Sequence, residues 1–286
     1  MTSHPDLISG TTTNEGCTLH YTTIPPPPGT SPPLLLFIPG GAGHSTQFLT
    51  LLPHMLPDYQ PATFSRRQHG LSTPLIRNNH VQLNPCQQVR DVLAVVDGSD
   101  KQPFSIFASS GGAIIALHLA AMYPARVRQL VAHEPPLVTL LPDYYELLEF
   151  FFKVQALYVT EGWEAAMELF QTRMVGYEGV PRLGGEGEGD VERFVRFEMM
   201  GFAIPPDLEG VREGFRRGKG EGKGRVVMAV GRESRDAFYA RSARRAAEVL
   251  GCECVEMTGN HTGWRYETEV FAGELRGVLE AAGGSE

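Results

Sequence analysis

The sequence has few cysteines, no long apolar run and no sign of a signal peptide. Its 286 residues include four cysteines, Cys17, Cys86, Cys252 and Cys254, which are too few and too scattered for the disulfide framework of a secreted domain. No apolar run approaches the roughly 20 residues that a membrane-spanning helix needs, and residues 1–10 lack the charged start and apolar centre of a signal peptide. These absences favour an intracellular, cytoplasmic protein that does not insert into a membrane.

Positive charge is also scarce. The 25 lysines and arginines are outnumbered by 33 acidic residues, which gives a formal net charge of −8 and a pI near 5.6. Proteins that bind nucleic acid carry a basic face or stripe, whereas the only basic cluster here, between Arg216 and Arg225, is diluted by glutamates and glycines. We expect that cluster to be a solvated loop, and we expect no nucleic-acid partner.

Strand and helix patterns alternate along most of the chain. The uniformly apolar run 33–38 is typical of a strand buried on both faces of a sheet. Further strands are predicted at 17–24, 62–65, 104–108, 127–132, 225–230 and 253–257, and helices at 45–55, 87–96, 112–122, 235–250 and 268–282. This alternation predicts an α/β fold with a mostly parallel central sheet flanked by helices.

Between Pro136 and the strand at 225 the pattern is helical only. Apolar spacing predicts helices at 144–158, 163–174 and 191–200. We therefore expect a core formed by residues 1–136 and 225–286, interrupted by a helical cap over residues 137–224. Glycine is concentrated between Gly184 and Gly224, which predicts that this stretch is the least ordered part of the molecule.

The clearest chemical motif is the group of small residues around Ser110, between a predicted strand and a predicted helix. It fits a nucleophile elbow, a sharp turn that exposes a serine hydroxyl above the sheet and requires small residues two positions to either side. For Ser110 these neighbours are Ala108 and Gly112, whereas for Ser109 one of them would be the bulky Phe107. Ser110 is therefore the candidate nucleophile, with an ordinary glycine-rich turn as the alternative.

A serine nucleophile also needs hydrogen-bond donors for the oxyanion and a base that takes its proton. The glycine-rich stretch after the strand at 33–38 can approach the elbow closely, so the N–H groups of Gly41 and Gly111 are the candidate oxyanion hole. A phosphate-binding loop is the alternative, but the glycine spacing does not match the dinucleotide fingerprint and the P-loop lysine is missing. Among nine histidines, His261 lies in a glycine-flanked loop after the last strand and is the candidate base.

The residue that orients the base is open among three carboxylates. The loop after the strand at 225–230 offers Glu233 and Asp236, on either side of Ser234, and both can equally cap the next helix. Glu134 follows the strand after the nucleophile, and two prolines stiffen its loop, so it can hold an imidazole. Its neighbour His133 is expected to point the other way and to be structural. No H-E-x-x-H motif is present, so no metal is expected.

Together these features resemble the α/β-hydrolase superfamily over nearly the whole chain. The resemblance includes the glycine-rich strip, a loop at 66–72 in the place of the usual Arg-Gly-x-Gly-x-Ser loop, the elbow, the helical insertion as a cap, and the histidine loop. Two segments are similar to those of the fungal zearalenone-type lactone hydrolases: Ser109-Ser110-Gly111 and His133-Glu134-Pro135-Pro136. In that family the Glu is the triad acid, which implies the same role for Glu134 and leaves Asp236 as the alternative acid.

The sequence therefore predicts a serine hydrolase of carboxylic esters or lactones that forms an acyl-enzyme intermediate and needs no cofactor. The expected substrate is a small apolar ester or lactone held under an aromatic-rich cap, and the expected assembly is a monomer or homodimer. Two alternatives stay open. The same triad can cleave a carbon–carbon bond or act as a lyase or cyclase, because fold does not fix chemistry. The chain can also be a non-catalytic, ligand-binding member of the fold.

Overall fold

One sheet organises the part of the chain that the computed structural model describes, residues 7–74, 82–97, 103–178, 188–217 and 224–281. Its strands are β1 Ile8–Asn14, β2 Cys17–Thr23, β3 Leu34–Ile38, β4 Gln60–Phe64, β5 Thr73–Pro74, β6 Phe104–Ser109, β7 Val127–His133, β8 Arg225–Gly231 and β9 Glu253–Met257. They lie in the order β1-β2-β4-β3-β6-β7-β8-β9, and the short β5 pairs with β2. The pairings of β2 with β1, β4 and β5 are antiparallel. Those from β4 onward to β9 are parallel, which confirms the predicted mostly parallel sheet.

The central parallel strands are buried on both faces, which explains their uniformly apolar sequences. Every residue of β3 and β6 is buried. On one face, α1 (Pro85–Val96), α2 (Gly111–Met122) and α7 (Phe238–Leu250) share an apolar cluster with the strands. On the other face, α8 (Thr268–Glu280) packs in a second cluster. The predicted helical layers on both faces are thus confirmed.

In the described part of the chain, four α-helices lie between β7 and β8: α3 Tyr144–Glu161, α4 Trp163–Gln171, α5 Glu188–Arg193 and α6 Leu208–Arg217. We call this part of the molecule the α3–α6 segment. Phe151 and Val154 of α3 belong to the same buried cluster as Phe238 and Tyr239 of α7. The segment is therefore packed against the elements that follow β8.

The predicted helix at 45–55 is wrong. Two short 3-10 turns stand there instead, at Ser45–Gln47 and Leu52–Met55. Pro53 explains why no continuous α-helix forms, because proline lacks the N–H that an interior helical position donates. The apolar residues of this region, Phe48, Leu51 and Leu52, are still buried in the cluster that contains α8. The apolar spacing therefore predicted which residues are buried but not the local backbone conformation.

The prediction of a solvated loop from Arg216 is wrong in its first part, since Arg216 and Arg217 end α6. Residues 218–223 of that basic cluster lie outside the described residues. The same holds for residues 184–187 of the glycine-rich stretch, whereas residues 188–217 of it fold into α5, a π-helical turn, a 3-10 turn and α6. Among the described residues, no helix combines the length and apolar composition that crossing a bilayer requires.

Candidate active site

Ser110 stands at the turn between β6 and α2. Its φ and ψ are 53° and −126°, a conformation that a residue with a side chain adopts only where its surroundings hold it. The Ser110 N–H donates to the His133 carbonyl of the neighbouring strand at 2.9 Å. Gly112 lets α2 approach the end of β3, since a Cβ there would lie 2.4 Å from the Ile38 carbonyl oxygen. The small residue two positions after Ser110 is therefore required by close packing.

The glycine-rich strip after β3 passes directly beside this turn. A Cβ on Gly40 would lie 2.9 Å from the Ser110 Cβ, so a larger residue would push the two apart. Gly41 and Ser110 line the same cavity. The Gly111 N–H belongs to the first turn of α2, whose amides have no acceptor within the helix. Gly41 and Gly111 therefore both lie near Ser110. Gly41 is brought there by the fold, and Gly111 is the next residue in the chain.

His261 lies in the loop after β9, and its ring is held by Glu134. The His261 Nδ1 and the Glu134 Oε2 are 2.6 Å apart, although 127 positions separate the two residues in the chain. The other oxygen, Oε1, accepts the Gly231 N–H at 2.8 Å. Glu134 follows β7 at a φ of 48°, and its N–H donates to the Ala229 carbonyl at 2.9 Å. The carboxylate is therefore fixed by the end of β8 and directed at the imidazole.

The environment of Glu134 favours its charged form. Burial by itself raises the pKa of this carboxyl, whereas the hydrogen bonds from the His261 imidazole and the Gly231 N–H lower it, and the pKa lies below its ordinary value. The side chain is fully buried. A buried carboxylate that accepts two hydrogen bonds is the arrangement that orients an imidazole through its Nδ1 and stabilises it when it becomes protonated.

The two other candidate acids do not contact the base. Glu233 and Asp236 are both exposed, near the start of α7, and neither makes a described hydrogen bond or ion pair with His261. Ser234, between them, is fully buried. The structure therefore brings together His261 and Glu134, and it leaves Asp236 on the surface.

His133 packs beside this pair in an apolar setting. Its ring lies 5.4 Å from that of Trp264 and 5.9 Å from that of Phe271, and neither ring nitrogen has a hydrogen-bond partner within the described part of the chain. Burial lowers the pKa of His133 to about 4, so the imidazole is neutral at pH 7. His133, Glu134 and His261 place ligand-type atoms within 4.8 Å of one another, a set that could hold a metal ion. However, the His261 Nδ1 and the Glu134 Oε2 are already hydrogen-bonded to each other. Two of the three possible ligand atoms are therefore occupied by a hydrogen bond.

Two neighbours of the base were not identified from the sequence. The Tyr239 ring lies over the His261 imidazole, with centroids 4.2 Å apart, and its hydroxyl accepts the Val175 N–H at 2.9 Å. Asn260 donates to the Gly176 carbonyl at 2.6 Å, which ties the histidine loop to the α3–α6 segment. Both contacts join residues far apart in the chain, and no local motif signals them.

The cavity that Ser110 and His261 share has a volume of about 920 Å³. This lies near the upper end of the roughly 300–1,000 Å³ that is typical of small-molecule sites. Its wall is mostly apolar and aromatic. The α3–α6 segment contributes Phe151, Trp163, Met167, Phe170, Met174, Tyr177 and Phe194. The cavity therefore combines the polar side chains of Ser110 and His261 with a large, mostly apolar space.

A family model described as the alpha/beta hydrolase fold matches residues 33–172. The uncharacterized hydrolase YraK of Bacillus subtilis (strain 168) is 26% identical over 277 residues, which are 95% of this chain and 96% of that protein. The solved enol-lactonase from Burkholderia xenovorans LB400 superposes with a TM-score of 0.68 at 15% identity, covering 95% of this chain and 100% of that one. For the naproxen esterase (carboxylesterase NP) from Bacillus subtilis the TM-score is 0.65 at 15% identity, covering 96% and 91%. The chain has the α/β-hydrolase fold, and the family model and these relatives support its place in the α/β-hydrolase superfamily.

Proposed function

We propose that this protein is a serine hydrolase of carboxylic esters or lactones, with Ser110 as nucleophile, His261 as base and Glu134 as the acid that orients it. The observation that carries the proposal is the 2.6 Å hydrogen bond between His261 and Glu134 in a site where His261 and the strained Ser110 line one cavity. The similarity of the His133-Glu134 segment to that of the zearalenone-type lactone hydrolases also supports Glu134.

The reaction proceeds in two halves. His261 takes the proton of the Ser110 hydroxyl, and the serine oxygen attacks the carbonyl carbon of the ester. The N–H groups of Gly41 and Gly111 stabilise the oxyanion of the tetrahedral intermediate. The protonated His261 then gives its proton to the leaving alcohol, and water releases the acyl group by the same steps. With a lactone the alcohol stays attached, and the product is a hydroxy acid.

The α3–α6 segment acts as the lid of the substrate site in this proposal. Its aromatic and methionine side chains line the cavity together with Glu164, Glu168 and Gln171. This mostly apolar lining, with two acidic groups, favours an apolar substrate over an anionic one. The cavity volume of about 920 Å³ suits a bulky ester or lactone better than the small one that the sequence suggests. The enol-lactonase and esterase names of the structural neighbours agree with this substrate class. A cytoplasmic location and a monomeric or homodimeric assembly stay predictions.

A fluorophosphonate probe tests the assignment directly, because it phosphonylates only an activated serine. The wild-type protein and Ser109→Ala should be labelled at neutral pH, and peptide mapping should locate the label at Ser110, while Ser110→Ala should stay unlabelled. A panel of aryl esters, lactones and β-diketones then reports the bond that is cleaved. Labelling that persists in Ser110→Ala, or turnover of β-diketones alone, would contradict the proposal.

A further inference from the structure

Two buried side chains hold the peptide groups of the glycine-rich strip. The Gln47 Oε1 accepts the Gly40 N–H at 3.1 Å, and the Gln47 Nε2 donates to the Gly41 carbonyl at 2.8 Å. The Arg66 Nη2 donates to the Gly40 carbonyl. Three of the four backbone polar groups of Gly40 and Gly41 are therefore occupied. The fourth, the Gly41 N–H, has no partner among the described residues.

This pattern determines which way the Gly41 N–H points. The Gly40–Gly41 peptide is trans, so its carbonyl and its N–H point in opposite directions. The carbonyl points to Arg66, which is buried and does not line the cavity. The Gly41 N–H, on the other edge of the same peptide, is thus directed away from Arg66. Gly41 itself lines the cavity.

Without these side chains the Gly40 carbonyl still accepts the Gly43 N–H at 3.0 Å, but that bond closes a turn of glycine-rich backbone and not a rigid element. Glycine adopts many backbone conformations at similar energy, and the next two residues, Ala42 and Gly43, already stand at φ values of 59° and 50°. A flip of the Gly40–Gly41 peptide would replace the N–H with a carbonyl oxygen, which repels a developing negative charge. Gln47 and Arg66 therefore add to the Gly43 hydrogen bond in keeping the N–H of Gly41 available as a donor.

The arginine of this arrangement depends in turn on the α3–α6 segment. The Arg66 Nη1 donates to the Gln88 Oε1 at 2.6 Å and pairs with the Glu198 carboxylate, in the π-helical turn Phe194–Glu198. Both charged side chains are 1% exposed. A buried guanidinium is stable only with a charged partner, so Glu198 keeps Arg66 in place beside the strip.

We propose that Gln47 and Arg66, the latter held by Glu198, are positioning residues that orient the Gly40–Gly41 peptide so that the Gly41 N–H can stabilise the oxyanion. The inference rests on the proposed function and extends it. Neither residue acts on the substrate itself, because the side-chain amide of Gln47 and the Nη2 of Arg66 are already bound to the strip. The α3–α6 segment then supplies, through Glu198, part of the support for the oxyanion hole as well as the cavity wall.

The test compares Gln47→Ala with Gln129→Ala. Gln129 is a second buried glutamine, on β7, whose Nε2 donates to the Leu279 carbonyl at 3.0 Å, away from the strip. With an aryl ester that the wild type hydrolyses, Gln47→Ala should lower kcat by about 10²-fold, as loss of an oxyanion donor does, with little change in KM. Affinity for a trifluoromethyl ketone, which forms a tetrahedral adduct with the serine, should fall by a similar factor. Gln129→Ala should lose stability without either effect.

Arg66→Lys is the second variant, for the case that Gln47→Ala does not fold. Urea unfolding of each variant shows whether it is folded. Lysine keeps the charge opposite Glu198 but is too short and has the wrong shape to reach the Gly40 carbonyl as well, so kcat should again fall more than KM rises. Wild-type kcat and wild-type inhibitor affinity in folded Gln47→Ala or Arg66→Lys would overturn the positioning role while leaving Ser110 labelling intact. Loss of Ser110 labelling in the wild type would instead refute the proposed function.

Discussion

Two residues of the proposed triad adopt backbone conformations that are rare for residues with side chains. Ser110 has a φ of 53° and Glu134 a φ of 48°, and each follows the last residue of its strand. Those last residues, Ser109 and His133, are register partners in the parallel pair β6 and β7. The chain therefore turns sharply at the same level of two neighbouring strands, and it is this turn that directs both side chains to the face where His261 lies.

Glu134→Gln should abolish most of the activity. The amide is neutral and can present an N–H instead of an acceptor to the His261 Nδ1, so both the tautomer and the stabilisation of the imidazolium are lost; removal of a triad acid typically costs about 10⁴ in kcat. Asp236→Asn is the matched control, because its side chain is exposed, and it should retain a kcat near that of the wild type. The measurement is the steady-state kcat of both variants on one ester. A large loss in Asp236→Asn with a kcat near that of the wild type in Glu134→Gln would identify Asp236 as the acid.

At the scale of single residues, the sequence indicates the candidate nucleophile and the candidate base but leaves the acid open. Ser110 and His261 are each signalled by local residues, a small-residue turn and a glycine-flanked loop. The acid depends on which loop reaches the imidazole, and that distance follows from the twist of the sheet and not from spacing in the chain. Gln47 and Arg66 carry no motif at all, because their roles arise from contacts with Gly40 and Gly41 that form only after folding.

Among the elements, α2 and the end of β3 are a tightly fitted pair beside Ser110. A Cβ on Gly112 would lie 2.4 Å from the Ile38 carbonyl oxygen and 2.5 Å from that of Pro39. Both contacts are with backbone, which cannot rotate aside. The start of α2 and the glycine-rich strip therefore set each other's position, and the elbow cannot move without the strip.

Gly112→Ala should destabilise the protein and lower its activity together. We expect a loss of about 1–3 kcal/mol in the free energy of unfolding, the usual effect of forcing extra volume into a packed site, and a fall in kcat as the strip shifts away from Ser110. The measurements are urea unfolding and steady-state kinetics on the same preparations.

Gly273→Ala, in α8, is the control for that substitution. Gly273 is exposed, and an added Cβ would meet nothing within 4 Å. Alanine is the better helix former, so this variant should be more stable by about 0.5–1 kcal/mol and unchanged in kcat. If Gly112→Ala matched Gly273→Ala in both measurements, the close fit of α2 to β3 would not be a constraint.

The sequence predicts the buried parallel strands and also the half-buried β2 and β9, but it does not predict β1 or α6. The apolar runs of β3, β6, β7 and β8 were recognised because strands buried on both faces contain little else. β1 was missed, since its polar residues lie at the sheet edge and are largely exposed or half-buried. α6 was missed because arginines and glycines dominate its sequence, although Val211 is buried in the core cluster that contains α2.

Across the whole molecule, the parallel arrangement of the strands brings the candidate site residues to one edge of the sheet. The loops after β3, β6, β7 and β9 carry Gly41, Ser110, Glu134 and His261, and the carboxyl ends of parallel strands meet at the same side of a sheet. The sequence predicts this convergence through fold class alone. It does not predict the α3–α6 segment's contacts, such as the buried pair of Glu198 with Arg66, because that pairing joins a helical turn to a loop 132 positions away.

The burial of uncharged histidines makes the stability of the whole protein sensitive to acid. Burial lowers the pKa of His133 to about 4, from an ordinary value of 6.5, and it lowers the pKa of His69 well below that ordinary value. Between pH 6.5 and about 4 the unfolded chain binds protons that the folded protein does not, so the free energy of unfolding falls as the pH falls through this window.

Replacing His133 should remove part of that sensitivity. By linkage, His133 accounts for about 2 kcal/mol of the stability lost between pH 7 and pH 5, so the loss over this range should be smaller by that amount in His133→Phe, whatever its stability at pH 7. Val131→Ala, a buried and non-titrating substitution on the same strand, should lower stability equally at both pH values. Urea unfolding at pH 7 and pH 5 gives the change in the free energy of unfolding for the wild type, His133→Phe and Val131→Ala. An undiminished loss in His133→Phe would mean that His133 is protonated, or solvated, in the folded protein.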